Sequence, residues 1–252
     1  MAGDRTIGKT LGGYEVVTGQ PHVRLSGSHL QQVTVTRPLT QAVARRRTKY
    51  DRFVKPIIDR LAALALLLLL LPVMLVVALT VWVTLGSPIT IKQDRVGREG
   101  RVFPMVKFRT MRPDRRKEQR PVPPEKDNRV THKSANDPRH TAVGRFLRRA
   151  SLDELPQLLN VIAGHMSLVG PRPELAHVVE NVYQPWQLQR HHVKPGITGL
   201  WQVTRRTEGN GDMHLYTEDD LEYIEQQSLW LDLRILLRTP VAVLAPKRAT
   251  TQ

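Results

Sequence analysis

The sequence contains no cysteine, which excludes disulfide scaffolds, zinc ribbons, iron–sulfur clusters and thiol nucleophiles together. Aromatic residues make up only 5% of its 252 residues. That is sparse for the basic face interleaved with stacking rings that marks a nucleic-acid binder. There is no G-x-S-x-G elbow and no H-E-x-x-H pair, so two common hydrolase signatures are missing. No internal repeat is present. Between residues 61 and 91 there is no charged side chain of either sign.

Elsewhere charge is plentiful and lopsided. Lys plus Arg number 38 against 23 Asp plus Glu, a net charge of +15, which calls for a polyanionic partner such as nucleic acid, anionic lipid or a phosphorylated substrate. Residues 1–60 carry +7, residues 92–150 carry +11 and residues 151–252 carry −3. The positive excess therefore brackets the uncharged stretch.

That stretch has eleven leucines between Leu61 and Leu85. As a helix, its 31 residues would run about 46 Å, longer than the roughly 30 Å hydrocarbon core of a bilayer. It has no polar face to meet water, so it belongs in a membrane. A cleavable signal peptide does not fit a segment that starts sixty residues in with no small-residue cleavage site. Pro72 near its middle removes a helical hydrogen bond and favours a bend. Both flanks are basic, Arg45 to Arg60 before and Lys92 to Lys107 after. A straight span would normally have one flank clearly more basic than the other. Equal flanks favour a re-entrant helix that enters, bends at Pro72 and leaves on the cytoplasmic side; a kinked single span is the alternative.

The expected organisation has four parts. Residues 1–48 read as a mobile N-terminal extension with one short strand at Gln32–Thr36. Residues 49–90 form a basic lead-in and the membrane helix, residues 91–240 the main folded domain, and residues 241–252 a tail. Strands are expected at Ile89–Lys92, Val102–Phe108 and Ser167–Val169. Helices are expected at Val143–Arg149, Leu155–Ile162 and Asp219–Arg238, and a proline-rich surface loop over Pro113–Arg139. The fold class is mixed α/β and helix-rich: a monotopic membrane protein with a Pro-broken hydrophobic helix and a small cytoplasmic domain.

Two motifs call for a choice of reading. Gly3–Thr10 spells a phosphate-binding loop, GDRTIGKT, but lacks the preceding strand and following helix that make such a loop work, so it reads as chance. Ser151-Leu152-Asp153-Glu154 spells a capping box ahead of Leu155, Leu158, Leu159 and Ile162. Pro156 would then sit where an amide is needed, so the first turn must be irregular. Two adjacent carboxylates there, after Arg145, Arg148 and Arg149, also suit a divalent metal and a phosphate group. Cap and site both remain open on spacing alone.

From Tyr50 to Thr239 the chain resembles the bacterial sugar transferases of the monotopic phosphoglycosyl transferase superfamily. The resemblance rests on KPIIDR before the apolar run, QDRVG at Gln93–Gly97, KFRTM at Lys107–Met111 and NDPR at Asn136–Arg139. SLDELPQLLNV at Ser151–Val161, MSLVGPRPE at Met166–Glu174, KPGITGLWQV at Lys194–Val203 and D-x-x-Y at Asp220–Tyr223 complete it. The resemblance implies an enzyme whose catalytic pair is Asp153 and Glu154. It implies that Asp153 attacks a nucleotide-diphosphate sugar, holds the sugar phosphate covalently, and yields it to polyprenyl phosphate. It further implies Mg2+ on Asp153 and Glu154, and phosphate clamps at Lys107, Arg109, Arg148 and Arg172. Pro171 and Pro173 would pin Arg172, and Gly170 with Pro171 would shape a turn by the nucleotide base. Its partners would be the sugar nucleotide, polyprenyl phosphate and a bilayer with anionic headgroups, not nucleic acid. Its place would be the cytoplasmic face of the bacterial plasma membrane. Two positions depart from the family pattern: His165 stands where Asp is usual, and Leu71-Pro72 where Ser-Pro is common. The competing class is a membrane-tethered binder of nucleic acid or anionic lipid with no chemistry, in which Asp153 and Glu154 would be dispensable.

Overall fold

The structure, a computed structural model, describes residues 48–112, 139–205 and 217–244. The expected strand at Gln32–Thr36, the GDRTIGKT spelling and, but for Arg139, the proline-rich loop lie outside the described residues.

One long helix, α1 (Lys55–Leu85), dominates the chain and follows a π-helical turn at Tyr50–Val54. Its leucine and alanine content favours helix throughout. Pro56 falls in its first turn, where a missing amide costs nothing. Gly86 ends it at φ +74°, its amide closing on the Trp82 carbonyl at 2.9 Å. α1 continues through Pro72 to Leu85 as one element. Only 11% of its most apolar stretch is buried, while Leu68, Leu69, Val76, Leu79 and Val83 stand out from the surface. By length and composition this helix can embed in a membrane.

The base of α1 is a different surface. Lys55, Asp59 and Ala63, four residues apart on one face, are buried in the body of the protein. Burying charges demands pairing, and a polar network supplies it. Lys55 Nζ lies 2.6 Å from Asp232 Oδ2 and 3.5 Å from Asp59 Oδ2. Tyr50 donates to Asp232 at 2.6 Å, Tyr223 to its other oxygen at 2.7 Å, and Ser167 to Asp59 at 2.6 Å.

The remaining elements wrap this base. β1 (Thr90–Val96) and β2 (Val102–Phe108) form an antiparallel hairpin with Thr90 opposite Phe108 and Val96 opposite Val102. α2 (Ala142–Arg149) starts at a Thr141 cap whose hydroxyl accepts the Gly144 amide at 3.0 Å. A 3-10 turn (Leu152–Glu154) leads into α3 (Gln157–Ile162) and β3 (Ser167–Val169). α4 (Ala176–Val182) and a 3-10 helix (Pro185–His192) come next. β4 (Gly196–Thr198) then pairs parallel with β3, followed by α5 (Leu200–Thr204). Phe103, Met105, Leu158, Val161, Met166 and Ile235 share one core with Ala63 of α1.

The single closing helix expected over Asp219–Arg238 is two: α6 (Thr217–Gln226) and α7 (Leu229–Leu244). On one straight helix Tyr223 and Asp232 would lie about 13 Å apart, yet their side chains hydrogen-bond. The chain must fold back at Gln227-Ser228 to allow it. α7 buries Asp232 and Ile235 and leaves Trp230, Leu233, Leu237, Val241 and Leu244 exposed as an apolar stripe.

Candidate active site

The Asp153–Glu154 pair sits in a tight turn made by its neighbours. α2 ends at Arg149, and Ser151 then takes a left-handed conformation, φ +55°. A non-glycine residue pays for that conformation in steric strain, so it persists only where the surroundings demand it. Pro156 stands as the N-cap of α3 and prevents the helix from starting earlier. The two carboxylates are thus confined to the Leu152–Glu154 turn. Ser151 makes no side-chain cap there. The capping-box reading is corrected: the box lacks its Ser151 cap, and the Glu154 carboxylate pairs with Arg172. Arg172 Nη1 donates to Glu154 Oε2 at 3.3 Å and Nη2 to Oε1, a bidentate fork. Glu154 draws the Arg172 guanidinium pKa upward, against the effect of burial.

Asp153 is 7% exposed; among the described residues its carboxylate accepts from its own backbone amide and is hydrogen-bonded or ion-paired to no other side chain. Burial pushes its carboxyl up to about 6; Glu154 adds to the rise, and Lys107 and Arg172 oppose it. Lys107, on β2, donates to Gln93 Oε1 on β1 at 2.8 Å. Burial, and then Arg95, push the Lys107 ammonium down to about 8. Arg95 donates to the same Gln93 oxygen at 2.9 Å and to the Pro173 carbonyl at 3.2 Å, and lies 3.5 Å from Glu174. One amide oxygen therefore holds two cations side by side.

The loop bearing Arg172 is braced from behind. Arg190, 1% exposed, donates to the Arg172 carbonyl at 2.7 Å and to Tyr183, and sits 2.5 Å from Asp220. Pro171 accepts the Gly196 amide at 2.8 Å. Gly170 lies where β3 and β4 backbones touch: a Cβ there would meet the Lys194 carbonyl at 2.5 Å. Small residues permit that approach.

The structure thus brings Lys107, Asp153, Glu154 and Arg172 together, with Pro171 and Pro173 flanking Arg172. It turns Arg109 and Arg148 to other partners. Arg109, 6% exposed, donates to the carbonyls of Leu85, Gly86 (2.6 Å) and Ser87 (3.1 Å) at the end of α1. Those carbonyls have no helical partner of their own, which is why a buried cation settles there. Arg148 lies 3.2 Å from His140 Nε2. His165 stacks obliquely on Phe103, ring centroids 5.9 Å apart. Gln93, Arg95, Glu174, Arg190, Tyr183 and Asp220 were not among the expected site residues. The QDRVG and PRPE segments signalled the first three; nothing local signalled Arg190.

A model of the family described as bacterial sugar transferase matches residues 50–246. The chain belongs to the bacterial sugar transferase family. It is 41% identical over 209 residues to a UDP-glucose:undecaprenyl-phosphate glucose-1-phosphate transferase of Xanthomonas campestris pv. campestris, covering 81% of this chain and 41% of that protein. It is 40% identical over 206 residues to the undecaprenyl-phosphate galactose phosphotransferase of Salmonella typhimurium, covering 77% of this chain and 41% of the relative. A UDP-glucose:undecaprenyl-phosphate glucose-1-phosphate transferase of Caulobacter vibrioides is 38% identical, with 77% of this chain and 71% of the relative aligned. The chain spans about two fifths of the length of the first two relatives. Among the described residues no group of three or more His, Asp or Glu is arranged to hold a metal ion. The Asp153–Glu154 pair by itself suits an ion that binds through one or two carboxylates and completes its shell with substrate phosphates and water, as Mg2+ does.

Proposed function

We propose that this chain transfers a sugar 1-phosphate from a UDP-sugar to polyprenyl phosphate through a covalent intermediate on Asp153. The observation that carries the reading is Asp153 itself: a buried carboxylate with no side-chain partner among the described residues, facing Lys107 and Arg172. A carboxylate committed to tertiary structure would pair with another side chain. This one is confined by a strained turn, accepts only from its own backbone amide among the described residues, and so is kept available.

The chemistry divides between these residues. An Asp153 oxygen attacks the β-phosphorus, the bond to the bridging oxygen breaks, and the nucleoside monophosphate leaves with that electron pair. Polyprenyl phosphate then attacks the same phosphorus, and the Asp153 carboxylate is released. Lys107, Arg95 and Arg172 neutralise the diphosphate so that one anion can approach another. Glu154 holds the Arg172 fork in place. Mg2+ on Asp153 and Glu154 would polarise the phosphoryl oxygens as a Lewis acid. Relatives whose names carry UDP-glucose and undecaprenyl phosphate support this donor and acceptor.

The surroundings fit a reaction at a membrane surface. A bend at Pro72, where the ring removes an amide from the helix, would return α1 to the side it entered. The outward stripe of α7 would lie in the bilayer interface. The basic flanks would meet anionic headgroups on the cytoplasmic face of a bacterial plasma membrane. The product, a polyprenyl-diphosphate sugar, is the starting lipid for assembling a surface or secreted glycan.

The test is mass spectrometry after a UDP-sugar is added without lipid acceptor. A sugar-phosphate adduct on the peptide containing Asp153 is the expected result. Turnover with lipid but never an adduct, under rapid quench, would replace the covalent route by direct displacement.

A further inference from the structure

Beside the carboxylate turn lies an open groove of about 430 Å3. Val73, Val76 and Thr80 of α1 line it on one side, Val143 and Phe146 of α2 on the other, and Leu152 lines it too. We infer that this groove binds the first isoprene units of the prenyl phosphate acceptor and delivers its phosphate to Asp153. The inference rests on the transfer reaction proposed above and deepens it.

Three observations identify the occupant. The α1 wall belongs to the uncharged part of that helix, beyond Arg60, whose outward residues Leu75, Leu79 and Val83 are exposed, so with α1 in a bilayer what enters the groove arrives from the hydrocarbon layer. The lining is apolar even at Thr80, whose hydroxyl turns back to the Val76 carbonyl at 2.8 Å and offers the groove no free donor. The lining residue Leu152 directly precedes Asp153 in the same 3-10 turn. An apolar chain lying here therefore runs one residue from where the phosphosugar would be held. A phospholipid acyl chain has the same apolar chemistry, but its phosphate lies beyond a glycerol ester linkage and has no reaction to meet at Asp153. A prenyl phosphate carries its phosphate directly on the chain.

The groove is also built to stay open. Val77 and Leu147 on its floor are 5% and 2% exposed and pack with Val81 and Phe108. Phe146 and Val76 on its rim are 63% and 66% exposed. The two helices are thus held by the buried row beneath while the rims remain unpartnered. Phe108 follows Lys107 on β2, so the same packing unit that floors the groove carries a phosphate clamp.

The experiment separates this inference from the reaction itself. Val76→Trp would fill the groove from its exposed rim without disturbing the buried floor. Leu75→Trp, on the lipid-facing surface outside the groove, is the control. In nanodiscs, Val76→Trp should raise the KM for undecaprenyl phosphate about tenfold or more, the loss of one well-buried apolar contact. The burst of nucleoside monophosphate without acceptor should stay near wild type, and Leu75→Trp should match wild type throughout. An unchanged acceptor KM in Val76→Trp overturns the inference. Independently of turnover, a photo-crosslinking residue at position 146 should capture undecaprenyl phosphate in preference to phosphatidylglycerol at equal mole fraction. Capture of phosphatidylglycerol alone also overturns it. A missing covalent adduct with normal crosslinking would count against the route through Asp153 and leave the groove standing.

Discussion

Replacing Asp153 by Asn should kill the enzyme and stabilise the protein, and the structure sets the size of both effects. The carboxyl is pushed from 3.8 up to about 6 by burial and by Glu154. A folded-state value above the unfolded one means that the folded chain holds its proton more tightly. Stability is therefore lost as pH rises from about 4 to about 6, and the cost is complete at pH 7. Two units at about 1.4 kcal/mol each put that cost near 3 kcal/mol. Asparagine is nearly isosteric and uncharged, so it avoids this cost, which is already net of the attraction of Lys107 and Arg172. A gain of about 2–3 kcal/mol is expected, raising the Tm by about 4–12 °C for a chain of this size. Turnover should fall by about 10^4-fold or more, as when a covalent nucleophile is removed. The assay pairs thermal unfolding in detergent, with EDTA to keep cations away, with formation of lipid-linked sugar. A variant that makes product at the wild-type rate would refute the nucleophile. A variant that is dead and also less stable would show that Asp153 serves the fold rather than the reaction.

Three further outcomes are expected. The rate at low substrate should rise with pH through about 6, as Asp153 ionises, and fall again through about 8, as Lys107 loses its proton; Lys107→Arg should move the alkaline limb upward, and a flat profile from pH 5 to 9 would contradict both assignments. Asp220→Asn leaves the fully buried Arg190 without its counter-charge, so unfolding should become easier by about 3–5 kcal/mol, with a higher KM for the sugar nucleotide as Arg172 loosens; unfolding curves and initial rates check this. Reporters fused before residue 48 and after residue 244 should report the same side of the membrane, whereas opposite sides would establish a straight span.

What could be read from the sequence was what repeats locally. α1 was legible because a long run with no polar face has one physical home. The carboxylate turn was legible because Pro156 forbids a regular start to α3 and because SLDELPQ resembles a family motif. The partnerships were not legible. Lys107 and Arg109 stand two apart in KFRTM, and a strand would point both the same way. β2 ends at Phe108, however, and past it Arg109 reaches the orphan carbonyls of α1 instead. Arg190 lies in the polar run PWQLQRHH, which reads as surface; it is buried because Asp220, thirty residues on, neutralises it. The break between α6 and α7 depends on Asp232 meeting Lys55 and Tyr223. Contacts across such distances leave no periodicity. The same holds for β4, whose three residues include a glycine and pair only because β3 lies beside them.

With α1 in a bilayer, the Arg109 clasp would make that bilayer a mechanical part of the proposed catalyst. Its guanidinium grips the last carbonyls of the apolar helix, and its own backbone is two residues from Lys107. The Arg109 amide donates to the carbonyl of Ile89, the residue before β1, at 2.9 Å and so fixes the clasp to the hairpin. A long apolar helix adjusts to a thinner or thicker hydrocarbon layer by tilting. On the reaction proposed above, tilt at this end would pass through the clasp to the strand that carries Lys107. Membrane thickness and sugar-nucleotide affinity would then be geared together, and the lipid composition of a reconstitution would become a kinetic variable in a reaction whose first substrate never enters the membrane.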